Sequence, residues 1–213
     1  MALLHRASLH PTKLELLAPW LPGRRWYRGS PGAEIVRVAA CRFDDPAGEV
    51  GIETLLVSAG DSPAHQVPLT YRGAPLDGGE RWLVGTTEHS VLGRRWVYDA
   101  CGDPVYVAAL ASTIHTGAGQ AEEFVQVDGR LDRRDPDMVV VGSGTRDADV
   151  PAAGGHRPVV TDEDDATVIT AGRVRLTVIR RPGGDERPDR PTLTGTWSGQ
   201  PNPLTLAYAD VAP

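Results

Sequence analysis

The chain has 213 residues, 40% of them hydrophobic and 23% charged, enough to bury a core as one large domain or two small ones. Its net charge of -6 and pI near 5.5 argue against a generic nucleic-acid binder, which needs a basic face. No stretch approaches 18 apolar residues, and the opening MALLHRASLHPTK lacks a charged region followed by an apolar run. A cytoplasmic protein with no membrane partner is therefore expected.

In chain order, Thr12 and Glu15 form a capping box that opens a helix. Leu14, Leu17, Ala18 and Leu21 follow at helical spacing, and Pro19 and Pro22 limit the helix to about two turns. The next stretch, LPGRRWYRG from Leu21 to Gly29, is echoed by LGRRWVYDA from Leu92 to Ala100. From Glu34 to Val107 short β-branched and aromatic runs alternate with turn signals, predicting an antiparallel meander of about five strands. Within it Arg95 and Val97 face one way, Trp96 and Tyr98 the other. Asp103 as N-cap and Pro104 at the first helical position start a second helix, which Gly117 stops. Val105, Ala108, Ala109, Ala111, Ser112 and Ile114 give that helix a small-residue face.

Beyond Phe124 the pattern predicts one strand over 137–143 and a hairpin of 166–170 with 174–179 turning at Ala171-Gly172. A last hairpin turns around Ser198-Gly199-Gln200-Pro201. Residues 121–165 carry 12 acidic and 5 basic side chains, the composition of a solvated, mobile connection.

Most chemical signals read as structure. Gly142-Ser143-Gly144 follows a strand as a phosphate loop does, but Asp147 stands where the third glycine belongs, so a plain loop exit is expected. His89 and His115 have no ligand spacing around them, and Cys41 and Cys101 form no C-x-x-C. No metal and no cofactor are implied, and both thiols are expected free and buried. Asp44-Asp45, Glu122-Glu123 and Asp164-Asp165 are adjacent pairs that face apart on a strand, so they read as solvated charge. The arginine–aromatic clusters remain. Arg24, Arg25, Trp26 and Tyr27, with Arg94, Arg95 and Trp96, are candidate ligand-binding residues. Sugar rings stack on tryptophan, and guanidinium forks grip anions. The competing reading is packing, with arginine stems lying over buried rings.

Three separated motifs, LAPWLPGRRWYRG, HQVPLTYRGAPL and GTTEHSVLGRRWVYDACGDPVYVAALASTI, stand in the order found in the N-terminal cap of actinobacterial maltokinases. Residues 9–117 resemble that cap. The resemblance implies an α+β fold: a curved antiparallel sheet with helices, of cystatin type, over residues 1–125. A smaller β-rich part over 126–213 is similar to the rest of the kinase N-lobe. There DDATVITAGRVRLTVIRR matches in character, with Arg180-Arg181 in register and Thr177 at the position of the ATP-gripping lysine. Threonine supplies no cation to phosphates, and the only lysine is Lys13. With the kinase C-lobe also expected to be absent, the chain reads as a non-enzyme, with no catalytic residue.

The expectation is thus an accessory or regulatory binding protein linked by resemblance to maltose, trehalose and α-glucan metabolism, with a protein of that pathway as its partner. A carbohydrate- or sugar-phosphate-binding module using the arginine–aromatic surface is the alternative. The ATP-binding part of a kinase completed in trans is a weaker one.

Overall fold

The structure, a computed structural model, describes residues 2–4, 7–30, 32–127, 130–152, 157–183 and 189–211. In chain order the elements are β1 (Ala2–Leu4), β2 (Leu9–His10), α1 (Lys13–Trp20), β3 (Ile35–Phe43), β4 (Gly51–Ala59) and β5 (His65–Arg72). Next come β6 (Leu83–His89), β7 (Gly93–Asp99), α2 (Pro104–Thr116), β8 (Glu123–Val127), β9 (Arg130–Arg134) and β10 (Met138–Gly142). β11 (Val159–Asp162), β12 (Ala166–Ala171), β13 (Val174–Ile179), β14 (Thr192–Trp197) and β15 (Gln200–Val211) complete the order. The fold is α+β.

The capping box forms as the sequence predicts. Glu15 N–H donates to Thr12 Oγ1 at 3.3 Å, and Thr12 N–H donates to Glu15 Oε2 at 2.7 Å. The helix it opens buries Leu16 and Leu17, and a 3-10 turn at Leu21–Gly23 follows.

The first sheet has the order β2-β6-β7-β5-β4-β3. This departs from a plain meander. β3, β4 and β5 run as one, but β7 pairs with β5 and sends β6 outward. The connection from Gly73 to Trp82 ends in a 3-10 turn, and it is long enough to place the incoming strand one position further out. Both faces of this sheet are covered. On one, the α1 leucines pack with Leu21, Trp26, Ala40, Leu55, Val57, Val67, Leu69 and Val97. On the other lies α2.

Asp103 caps α2 by accepting from Val105 N–H, and Gly117 ends it at φ +68°. The buried stripe is Tyr106, Val107, Leu110, Ala111, Thr113 and Ile114; it shares Ala111 and Ile114 with the face read from the sequence, while Ala108 and Ser112 are exposed. The larger side chains turn inward because α2 has a sheet on either side. Its stripe shares one apolar cluster with Ala39, Cys41, Phe43, Ile52 and Leu56 of the first sheet. Met138, Val140, Ile169, Leu176, Val178 and Leu206 belong to the same cluster and come from the second.

That second sheet, all antiparallel, has the order β10-β14-β15-β13-β12-β11. Its two hairpins are those predicted, with turns one residue off. Ala171 pairs with Val174, so the turn is Gly172-Arg173; Trp197 pairs with Gln200, so the turn is Ser198-Gly199. The acidic segment 121–165 contains four strands: β10 is the strand predicted over 137–143, and β8, β9 and β11 stand where a mobile connection was expected. β8 and β9 pair with each other and β8 with β1, while β10 and β11 form the two edges of the second sheet. Charged side chains hid β9, whose five residues are all exposed.

Cys41 and Cys101 are free and buried, and burial pushes both thiols up in pKa, which leaves them unreactive. Gly142 and Gly144 lie against the C-terminal turn of α2. Gly142 N–H donates to Ala118 O at 2.8 Å and Gly144 N–H to Ile114 O at 2.9 Å. A Cβ on Gly144 would stand 1.8 Å from the carbonyl oxygen of His115, and one on Gly142 2.0 Å from that of Thr113. The Gly-Ser-Gly run therefore satisfies carbonyls at a helix C-terminus, the opposite end from the one that binds phosphate.

Candidate functional site

The face of the second sheet turned away from α2 carries an open groove of about 1130 Å³. Its floor follows from strand alternation. Along β13 the side chains of Val174, Leu176 and Val178 go to the core, while Arg175, Thr177 and Ile179 face out, and Arg181 continues that outer row. Val168 on β12, paired with Thr177, and Tyr208 and Asp210 on β15 lie beside them. At one end Arg25 reaches over from the segment after α1, and its Nε donates to Asp164 Oδ1 at 2.9 Å. Arg28 stands 3.8 Å from the same carboxylate, and Arg181 pairs with Asp165. At the other end Arg190 Nη1 donates to Asp210 Oδ2 at 2.9 Å.

A second groove of about 540 Å³ opens beside α1 and is lined by Lys13, Arg42, Tyr71, His89 and Arg95 among others. Beneath it Glu53, 5% exposed, accepts from Lys13 Nζ at 2.5 Å, from Arg42 Nη2 at 3.1 Å and from Tyr71 Oη–H at 2.9 Å. Burial alone would raise the Glu53 pKa, but Arg42 and Lys13 outweigh it and hold the carboxyl at about 2.

The two arginine–aromatic clusters do not make one surface. Trp26 is fully buried on the α1 side of the first sheet, whereas Trp96, half-buried, packs on the α2 side. Trp26 is thus unavailable for stacking on a ligand, because it follows a 3-10 turn that drops it behind the helix. Arg24 lies over the Trp20 ring at 4.7 Å, the packing alternative made concrete. Half-buried Tyr27 has its ring 5.0 Å from that of His65. Arg94 pairs with Glu88 at 2.8 Å on the surface. Arg25 reaches the larger groove and Arg95 the smaller. The alternation read for Arg95, Trp96, Val97 and Tyr98 holds.

Most of what the motif residues do is structural, and it converges on Arg180. This side chain is fully buried. Its Nη2 donates to Asp99 Oδ2 at 2.6 Å, its Nε to Thr167 Oγ1 at 2.7 Å, and its guanidinium lies 4.4 Å over the Trp26 ring. Gln66 Nε2 donates to the carbonyls of Ile179 and Leu206, both at 2.9 Å, and Gln66 N–H donates to Arg180 O at 2.7 Å. Asp103, equally buried, takes Arg72 Nε and Nη2 at 2.7 Å each and the Thr70 hydroxyl at 2.8 Å. The three motifs therefore supply Trp26, Gln66 and Asp99 to a joint between the two sheets.

Reasoning from the sequence missed Arg175, Arg190, Thr205 and Asp210 as groove residues. The signal for the first was there: in RVRLTVI, from Arg173 to Ile179, every second residue is polar or long while the others are apolar. Among the described residues no three of His, Cys, Asp and Glu gather as a metal would need, and no helix is long and apolar enough to cross a membrane.

Residues 20–103 match the family model of the maltokinase N-terminal cap domain. The matched stretch runs from Trp20 to Asp103, so it contains the second motif whole, the first from Trp20 on, the third as far as Asp103, and the first sheet from β3 to β7. A comparison with curated proteins returns no match.

Proposed function

We propose, from the likeness of this first sheet to the maltokinase cap, that the chain is a non-catalytic accessory or regulatory binding protein. We place its work in maltose, trehalose and α-glucan metabolism, with an enzyme of that metabolism as its partner. The observation that carries the reading is Thr177. It sits on the floor of the larger groove; on the resemblance drawn from the sequence it takes the place of the phosphate-gripping lysine, and it offers a hydroxyl where phosphoryl transfer needs a cation. The one lysine of the chain, Lys13, lies in the other groove and is held by Glu53.

The test uses the purified chain in two assays. Thermal shift with ATP and magnesium should leave the melting temperature unchanged, and incubation with maltose and ATP should form no phosphorylated sugar. Affinity capture should retain an enzyme of maltose, trehalose or α-glucan metabolism, and the purified pair should reassociate. Phosphorylation of maltose would overturn the reading. A shift with ATP alone would favour the ATP-binding half of a kinase completed in trans.

The alternative of a carbohydrate-binding module keeps a basis only away from the Trp26 cluster. The larger groove is where it has one.

A further inference from the structure

We infer that the larger groove binds a short, neutral, linear oligosaccharide. The inference deepens the carbohydrate-binding alternative above and rests on the proposed metabolic link for the choice of sugar, but the groove chemistry stands by itself.

The charge pattern excludes an anion. Among the described lining residues are four arginines, Arg25, Arg175, Arg181 and Arg190, and four carboxylates, Glu163, Asp164, Asp165 and Asp210. Three of each are already paired: Arg25 with Asp164, Arg181 with Asp165 and Arg190 with Asp210. The fourth arginine, Arg175, stands opposite Asp210 in the strand register. A phosphate would have to displace a carboxylate from its guanidinium while lying among other carboxylates. Phosphate sites instead leave arginine forks uncompensated.

A sugar hydroxyl both donates and accepts. An arginine–carboxylate pair at the surface presents a donor and an acceptor side by side, which suits a hydroxyl better than it suits an ion. Such pairs stand at both ends of the groove. Between them the floor is uncharged: the Thr177 and Thr205 side chains offer hydroxyls, and Val168 and Ile179 offer apolar surface for the C–H faces of a ring. The outer row of β13 from Arg175 to Ile179 covers four residue steps of extended strand, roughly 13 Å, and Arg181 lines the groove beyond its end. That length calls for more than one linked ring.

The test is titration calorimetry on the purified full chain with maltotetraose, cellotetraose and inorganic phosphate, each at low and high salt. The expected result is saturable binding of maltotetraose that is insensitive to salt and not competed by phosphate. Thr177→Tyr, which fills the floor, should weaken it at least tenfold. Arg175→Ala, a change at an exposed side chain that leaves the core untouched, should weaken it severalfold. Circular dichroism confirms that both variants fold. Binding of cellotetraose alone, lost in the variants, would uphold the groove and overturn its link to α-glucans. No saccharide binding, binding that phosphate or salt abolishes, or variants that bind as well as the parent would overturn the inference.

Discussion

Arg180 and Asp99 form an ion pair of 2.6 Å in which the arginine is fully buried and the aspartate nearly so; Asp99 ends β7 of the first sheet and Arg180 follows β13 of the second. Burying two charges is favourable only when the geometry is good and the remaining donors are met. Here Thr167, the carbonyl of Gln66 and the Trp26 ring meet them.

Removing one partner leaves an uncompensated charge in the core. Arg180→Met and Asp99→Asn should each cost about 3–5 kcal/mol of unfolding free energy in urea denaturation. The double variant should cost clearly less than the sum, since neither charge is then stranded. Additive losses would show that the pair is not coupled.

Asp103 joins three tasks at one carboxylate: helix cap, partner of Arg72 and acceptor for Thr70. Loss of the cap alone costs about 0.5–2 kcal/mol. Asp103→Ala should exceed that range, while Asp103→Asn, which keeps the cap, should fall nearer to it. Equal effects in the two variants would separate Arg72 from the stability of this corner.

Gly144 touches the backbone of His115, and backbone cannot move aside as a side chain tip can. Gly144→Ala should cost more than the 1–3 kcal/mol typical of an overpacked core, and a sharply lowered melting temperature would show it. Gly48→Ala, at a positive φ but with open space around it, should cost only its backbone strain, about 1 kcal/mol. A mild Gly144 variant would mean that β10 can separate from α2.

Two groups make stability depend on acid, in separate windows. Glu53 is held at about 2 against an ordinary 4.5, so its contribution is whole above 4.5 and is lost as the pH falls toward 2. His65 is fully buried and accepts a hydrogen bond from Arg28 N–H at 3.0 Å. Burial, with Arg181 and Arg28 nearby, depresses its pKa below the ordinary 6.5. The unfolded chain then takes up that proton before the folded one, so stability begins to fall below pH 6.5. His65→Gln should flatten the pH dependence just below 6.5 and leave the steep loss below 4.5, whereas Glu53→Gln should remove part of that lower loss. Denaturation midpoints across pH check both.

Local signals in the sequence carried far. Thr12 with Glu15, Asp103 with Pro104, and Gly117 are effects within one turn of chain, and they appear in the structure as they read in the sequence. The position of β7 beside β5 was hidden, because pairing between strands depends on a connection whose path no local pattern fixes. β9 was hidden by its charge. The face of α2 was read only in part, with Ala111 and Ile114 caught and Tyr106, Val107 and Leu110 missed, because periodicity cannot show that a helix is covered from two sides. In the site, the arginine–aromatic echo was visible but its meaning was not. A tryptophan beside arginines reads the same whether the ring faces solvent or, like Trp26, lies beneath Arg180. Arg180 and Arg181 look alike in the sequence, yet one step of strand alternation sends the first into the core and the second to the groove.

The second sheet places β15 between β13 and β14, and neither of those pairs with the other. A ribosome delivers them in the order β13, β14, β15. The first sheet emerges early with Gln66 and Asp99 already in place, but the surface they must dock against cannot close until its central strand has been made. During that interval the inner side of α2 lies open on one face. Birth of this protein is therefore a wait for its last described strand, the stage at which a chaperone would meet it with the most apolar surface showing.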